Sequence, residues 1–199
     1  MQTDQLEITG AFTVTPALHG DDRGHFAETF RADAFMAATG HAFDLQQANT
    51  SFSARGVIRG VHFALVPPGQ AKYVQCLAGT ILDVVVDVRV GSPTFGQHVA
   101  VELDDRTRRA LYLAEGLGHA FCALSPTATV NYLCSTSYNP AREFGVNPLD
   151  PELALPWPTE APIVSDKDAA APTLAEAREL GQLPDYTATM DYLDGLRRG

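Results

Sequence analysis

Ile81-Leu82-Asp83-Val84-Val85-Val86-Asp87-Val88-Arg89-Val90 is the stretch on which the fold turns. Its even positions, Leu82, Val84, Val86, Val88 and Val90, are all apolar, while its odd positions include Asp83, Asp87 and Arg89. Alternation with a period of two marks a strand with one face in a core and the other polar. Similar runs lie on both sides, at Gln47–Ser53, Val57–Phe63, Lys72–Leu77, Gln97–Leu103, Ala110–Leu113 and Ala128–Tyr138. Turn-forming text separates them: Val66-Pro67-Pro68-Gly69, Gly91-Ser92-Pro93, Asp104-Asp105 and Leu124-Ser125-Pro126. Many short strands at this spacing predict a sandwich or barrel.

Helical text is confined to Asp33–Thr39, stopped by Gly40, and to the C-terminal part, at Leu174–Leu180, stopped by Gly181, and around Met190–Leu196. No internal repeat or long linker interrupts the chain. The expected organisation is one mainly β domain over residues 1–172 with a helical C-terminal extension, 173–199, packed on it. The length of 199 residues and the 45% hydrophobic content suit one well-filled domain.

Composition removes several function classes. A net charge of −10 argues against a nucleic-acid partner, which needs a basic face. No apolar run reaches the ~18 residues of a membrane helix, and Met1–Glu7 is too polar for a secretory signal, so a cytoplasmic protein without a membrane partner is expected. Cys76, Cys122 and Cys134 are odd in number and lack paired spacing, which points to buried thiols rather than a disulfide framework or zinc site. Of 14 basic residues only Lys72 and Lys167 are lysine, as expected if lysine is kept where a compact ammonium is needed.

Four polar residues interrupt strand text where an apolar one is expected: His62, Lys72, His119 and Tyr132. A hairpin centred on Pro67-Pro68 would set His62 and Lys72 on opposing arms. Tyr132 and Tyr138 would share a face in one regular strand. Singly, each is as easily a packed, hydrogen-bonded strand residue. Together they make a chemical set. Removing a proton beside a ketone needs a base of near-neutral pKa, which histidine supplies. The enolate needs a cation or donor at its oxygen, and Lys72 qualifies. Inversion needs a separate acid on the opposite face, which a tyrosine hydroxyl could be. A carboxylate would fix the imidazole tautomer, and composition alone does not select it.

The order of these motifs resembles the dTDP-4-dehydrorhamnose 3,5-epimerase family. The matching text is Asp22-Arg23-Gly24-His25-Phe26-Ala27-Glu28-Thr29-Phe30, Gln47-Ala48-Asn49-Thr50-Ser51, Arg59-Gly60-Val61-His62-Phe63, Gln70-Ala71-Lys72, Leu82–Arg89, Gly91–Gly96, Gly118-His119-Ala120-Phe121, Tyr132, Tyr138, Trp157-Pro158 and Ser165-Asp166-Lys167-Asp168. It runs collinearly over residues 7–172. The resemblance implies a cupin-type antiparallel β-barrel (jelly roll) with short C-terminal helices. It also implies a homodimer exchanging N-terminal strands, no cofactor or metal, and a dTDP-linked 4-keto-6-deoxy sugar as substrate. His62 is then the proton acceptor, Tyr132 the proton donor, Asp168 the partner of His62, and Lys72 the group at the keto oxygen. Arg23, Glu28, Gln47, Asn49, Arg59, His119, Glu143 and Lys167 match ligand-contacting positions, and Phe26 and Tyr138 the residues beside the nucleoside. Both lysines thus fall on functional positions, and Arg23, Arg59 and Lys167 would supply local charge for a diphosphate.

The chain departs from the family pattern at Ala64, at Ala114-Glu115-Gly116 and at Val146–Pro151, where its text is closer to the antibiotic deoxysugar branch. Some members of that branch invert only C3 or only C5, so a single-site epimerase stands beside the double one. A metal-dependent cupin would want several clustered His and Glu ligands, yet no His-x-His pair surrounds His62 and His119 is alone on its strand. A catalytically silent sugar-nucleotide binding module would leave His62, Tyr132, Asp168 and Lys72 together unexplained.

Overall fold

The computed structural model describes residues 1–198. In chain order its elements are β1 (Gln2–Gln5), β2 (Ala11–Thr15), β3 (Leu18–Asp21), β4 (Gly24–Ala27), α1 (Ala32–Thr39), β5 (Gln47–Ala54), β6 (Ile58–Ala64), β7 (Lys72–Ala78), β8 (Thr80–Val86), β9 (His98–Asp104), β10 (Ala110–Leu113), β11 (Gly118–Ala123), β12 (Thr127–Cys134), β13 (Glu143–Gly145), α2 (Asp166–Ala169), α3 (Leu174–Glu179) and α4 (Tyr186–Arg198). Two antiparallel sheets carry the fold. One has the order β1-β2-β10-β7-β12-β5, the other β13-β6-β11-β8-β9, and β3 and β4 form a separate hairpin. This is the mainly β, antiparallel jelly-roll architecture expected, with short helices at the C-terminus.

Alternation along the strands sorts side chains into three packed layers. Between the sheets lie Ile81 and Val85 of β8, Phe121 of β11, Val74 and Cys76 of β7 and Val130 of β12. Outside the five-stranded sheet, Val84, Val86 and Val88 pack with Val146, Leu153 and Leu155 of the return segment and with Leu174 and Ala177 of α3. Outside the six-stranded sheet, Ala71, Tyr73, Ala110 and Tyr112 pack with Phe35 of α1 and Leu193 of α4. The C-terminal extension is therefore part of the outer covering of both sheets.

Three local points refine the expectations. The polar odd face of Ile81–Val90 is itself buried, with Asp83, Asp87 and Arg89 all inaccessible, and the even face is covered by the return segment. Second, β6 and β7 do not form a hairpin. They belong to different sheets, and residues 65–71 cross between them. Third, β12 ends at Cys134, and Tyr138 lies beyond it, exposed, with its backbone N–H donating to Gln47 Oε1 at 2.8 Å.

Past the end of β8, Asp87 and Arg89 form a buried two-point ion pair, with Arg89 Nε to Asp87 Oδ1 and Nη2 to Oδ2 both at 2.8 Å. Ser92 and Thr94 hydroxyls also donate to Asp87 at 2.6 Å, and the guanidinium stacks 5.1 Å from the Tyr186 ring of α4. This cluster seats the start of α4. Replacing one member of a buried pair strands the other charge, so Asp87→Ala should lower unfolding stability by about 3–5 kcal/mol in urea titration. A loss below about 1 kcal/mol would mean that Arg89 finds other compensation.

Candidate active site

A cavity between the sheets, open to solvent and about 190 Å³ in volume, is lined by Asn49, Arg59, His62, Gln70, Lys72, His119, Phe121, Tyr132, Cys134 and Glu143. Each sheet contributes one wall. On the five-stranded side His62 of β6 stands directly across from His119 of β11, so both imidazoles project from one face. Arg59 lies three residues before His62 and would face the opposite way in a regular strand. A register irregularity between His119 and Phe121 brings it to the same wall, opposite Phe121. Gly60 makes this possible. It sits at φ +117°, and a Cβ there would stand 2.6 Å from Ala120 Cβ and closer still to the His119 carbonyl oxygen.

On the six-stranded side Lys72 of β7 pairs with Cys134 of β12, and Val74 with Tyr132. Lys72, Cys134 and Tyr132 therefore share a face one step apart. Asn49 of β5 pairs with Tyr132 and joins the same wall. Glu143, the first residue of β13, comes in at the rim; its Oε1 accepts from the Asn139 N–H at 3.0 Å.

Two imidazole–carboxylate pairs anchor the five-stranded wall. His62 Nε2 bonds Asp168 Oδ1 at 2.7 Å. Asp168 comes from α2, whose N-cap Ser165 accepts from the Asp168 N–H. The Asp168 side chain is 8% exposed and that of His62 40%, so the carboxylate is sheltered behind an accessible imidazole. With Nε2 committed as donor, Nδ1 is left as the basic nitrogen. The second pair joins His119 Nε2 to Asp83 at 2.8 Å to Oδ1 and 3.0 Å to Oδ2, both groups buried. The edge of the His119 ring meets Tyr132, centroids 5.8 Å apart, which ties one wall to the other.

The six-stranded wall carries donors. Burial pushes the Tyr132 hydroxyl far above its usual pKa, against a smaller opposite pull from the Ser51 hydroxyl 3.0 Å away. Tyr132 therefore holds its proton at neutral pH. Burial pushes the Lys72 ammonium below its usual value, while Cys134 and Glu143 draw it back up. Among the described residues no carboxylate lies within 4 Å of the Lys72 ammonium.

The other expected residues fall outside this cavity. Gln47 adjoins its edge, with Nε2 donating to Asn49 Oδ1 at 2.9 Å. Tyr138 is hung from Gln47. Lys167 is exposed on α2 beside Asp168. Arg23, Phe26 and Glu28 lie on or just after the β3–β4 hairpin, exposed, and do not line the cavity of their own chain. Conversely, Asp83, Ser51, Gln70, Phe121 and Cys134 were not singled out from the sequence. Asp83 carried a usable signal, an acid inside an otherwise apolar strand. Among the described residues no group of three or more His, Cys, Asp or Glu could hold a metal ion, and no helix is long and apolar enough to cross a membrane.

Solved structures that share this architecture include sugar epimerases. NovW, a 4-keto-6-deoxy sugar epimerase from the novobiocin gene cluster of Streptomyces spheroides, superposes with a TM-score of 0.94 at 53% identity, covering 95% of each chain. ChmJ, a 3'-monoepimerase from Streptomyces bikiniensis solved with dTDP-quinovose, gives a TM-score of 0.96 at 49% identity over 98% of this chain and all of the other. The chain belongs to the dTDP-4-dehydrorhamnose 3,5-epimerase family, whose profile matches residues 5–176. Among curated relatives, a dTDP-4-dehydrorhamnose 3,5-epimerase of Mycolicibacterium smegmatis is 54% identical over 100% of this chain and 98% of its own length. A dTDP-4-dehydrorhamnose 3-epimerase of Streptomyces niveus is likewise 54% identical, over 94% and 90%.

Burial pushes the Asp168 carboxyl up, but the hydrogen bond and charge of His62, with the Gly60 and Ser165 donors, outweigh it and hold its pKa below the usual value. A lowered carboxylate pKa adds stability that is present above the unfolded-state value and lost as pH falls through the folded one. Asp168→Asn should therefore be less stable than the parent at pH 7, with the gap closing as pH falls below about 4. Thermal melts across that range test this. A gap that is constant with pH would mean that the carboxylate's charge contributes nothing.

Proposed function

We propose that this protein is an epimerase of a dTDP-linked 4-keto-6-deoxy sugar, acting at C3, at C5 or at both. The observation that carries the reading is the placement of His62 and Tyr132 in one cavity on facing sheets, with Lys72 beside Tyr132. Sheets packed face to face stand about 10 Å apart, room for one sugar ring between base and acid.

In this mechanism Nδ1 of His62 removes the proton from the carbon beside the ketone. The C–H electron pair moves into the ring, and the carbonyl oxygen becomes an enolate. Asp168 accepts the Nε2–H bond and stabilises the imidazolium. Lys72 meets the enolate oxygen with a donor that has no carboxylate to leave behind. The Tyr132 hydroxyl then delivers a proton to the opposite face, and the enolate pair returns to form the new C–H bond. Ser51 is placed to hydrogen-bond the resulting phenolate. One proton leaves and one arrives, and exchange with solvent resets both groups. Arg59 and Lys167 are the cations assigned to the diphosphate, with Gln47, Asn49, His119 and Glu143 holding the remaining ligand polar groups.

The same reading includes the homodimer expected to exchange N-terminal strands; because β1 pairs with β2 of its own chain, the segment we assign to the partner's cavity is instead the β3–β4 hairpin. It is supported by Phe26, 66% exposed at that hairpin, and by the distance of Arg23 and Glu28 from their own chain's cavity. A large exposed aromatic beside an arginine suits a nucleobase and phosphate presented from another subunit.

Relatives that invert one carbon and relatives that invert two match equally well, at 54%. The carbons are assigned by running the reaction in deuterated water and locating the label. His62→Asn should lose exchange and inversion together, by about 10²–10⁴-fold. Tyr132→Phe should keep exchange at the α-carbon while losing net inversion. If exchange disappears as well, Tyr132 acts before reprotonation and the two-face scheme fails. Mixing His62→Asn chains with Arg23→Ala chains should recover activity that neither parent has, because one cavity of each mixed dimer is intact. Mixed dimers without recovery would keep the hairpin within its own chain.

A further inference from the structure

Behind Lys72, on the far side of the strand pair that carries it, lies a second polar cluster that the mechanism above does not use. Residues 70–72 and 134–136 run side by side at the mouth of the barrel. Gln70, Lys72 and Cys134 face the catalytic cavity. Ala71 and Ser135 face the other way, into a separate cavity of about 90 Å³ lined also by His41, Phe43, Glu115, Tyr192 and Leu196. The two cavities thus share one layer of backbone.

Ser135 ties that layer to Glu115. Its Oγ accepts from the Ala71 N–H at 2.8 Å and donates to Glu115 Oε1 at 2.9 Å. The Ser135 N–H donates to the Ala71 carbonyl at 3.1 Å. Gln70 Nε2 donates to the Thr136 carbonyl at 3.0 Å, and the Thr136 hydroxyl to the Gly69 carbonyl at 2.8 Å. Ser135 Oγ thus bridges the Ala71 N–H and the Glu115 carboxyl, and the bond to the carboxyl holds the hydroxyl in the rotamer that receives the strand. Glu115 is itself wedged in place. A Cβ on Gly69 would fall 2.7 Å from its Cβ, and one on the following residue, Gly116, would fall 3.0 Å from Thr189 of α4.

Glu115 is 3% exposed, and its Oε2 has no hydrogen-bond partner among the described residues. A half-satisfied buried carboxyl is costly, and an apolar side chain would fill the same space without that cost. We propose that Glu115 and Ser135 are positioning residues, a strut backed by α4 that fixes the entry of β7 and so the reach of Lys72 toward the substrate oxygen. The proposal rests on the reading of Lys72 as the group that meets the enolate. It gives the C-terminal helix a part in the reaction, acting through the backbone of Ala71.

A misplacement near 1 Å is enough to cost about 10²-fold in rate, so Ser135→Ala should lower kcat for the 4-keto-6-deoxy sugar nucleotide by about 10-fold to 10²-fold with little change in KM. Glu115→Gln keeps an acceptor for Ser135 and should stay near the parent, whereas Glu115→Leu should match Ser135→Ala. The deciding arm places Ser135→Ala in a Lys72→Ala background, where a strut that works through Lys72 has nothing further to lose. A loss that persists undiminished there, or one that appears in KM, overturns the proposal and makes these residues general supports of the barrel. If Ser135→Ala does not fold, the Glu115→Gln and Glu115→Leu pair carries the same comparison, again with and without Lys72. Lys72→Ala leaving the rate intact would instead sink the enolate reading, and the strut with it.

Discussion

Burying charge is the problem that the interior of this barrel has to solve. A charged group inside a protein costs several kcal/mol unless a partner and further hydrogen bonds compensate it. Asp168 has His62, Asp83 has His119, and Asp87 has Arg89 with two hydroxyls besides. Two buried groups are exceptions: Glu115, whose Oε2 has no partner among the described residues, and Lys72. Lys72 is buried, it lines the cavity, and it lacks a carboxylate partner within 4 Å among the described residues. An ammonium held this way interacts weakly with the neutral ground-state ketone and strongly with an enolate oxygen. That difference between ground state and transition state is what accelerates a reaction, so the unpaired cation is where the fold's electrostatic cost meets the proposed chemistry.

The pairs also explain why the chain needs its return segment. Asp168 lies more than a hundred residues beyond its partner, on a four-residue helix capped by Ser165. The segment between β13 and α2 lays Val146, Leu153 and Leu155 on the outer face of the five-stranded sheet and so covers Val84, Val86 and Val88. That covering delivers Asp168 to the imidazole. Packing on the outside of the sheet and chemistry on the inside are thus coupled through one stretch of chain.

The same covering shows which parts of the structure could be read in the sequence. Strand positions were legible because the period of two survives whichever face is buried. What the polar face looks at was not legible: Asp83 in Ile81–Val90 stands out as an acid, but its partner appears only when the sheets close over it. His62 and Lys72 were found by residue type, but their relation was misjudged. A turn at Pro67-Pro68 says that the chain reverses, not whether its arms pair or part into separate sheets. Arg59 and His62 could not be put on one wall from spacing, because the irregularity at Gly60 is set by how closely β6 approaches β11. Tyr138 was placed on the face of Tyr132 by assuming that the strand continued, and β12 stops at Cys134. Asp168 came from family resemblance alone, since no local pattern distinguishes it from the neighbouring acid at 166.

Inversion of a carbon makes a demand that few arrangements meet: the proton must leave on one side of a plane and return on the other. A base and an acid on neighbouring positions of a single sheet approach a flat enolate from the same side and can only retain configuration. Two facing sheets remove that limit. With His62 on one wall and Tyr132 on the other, the proposed reaction has a ring between them presenting one face to each, and the side chains need not move for the second proton to arrive opposite the first. The Tyr132 hydroxyl, pushed up by burial, keeps its proton until a base as strong as an enolate faces it. In the proposed reaction the barrel supplies stereochemistry by topology, and pocket shape is left to select which carbon of the ring lies between the two walls.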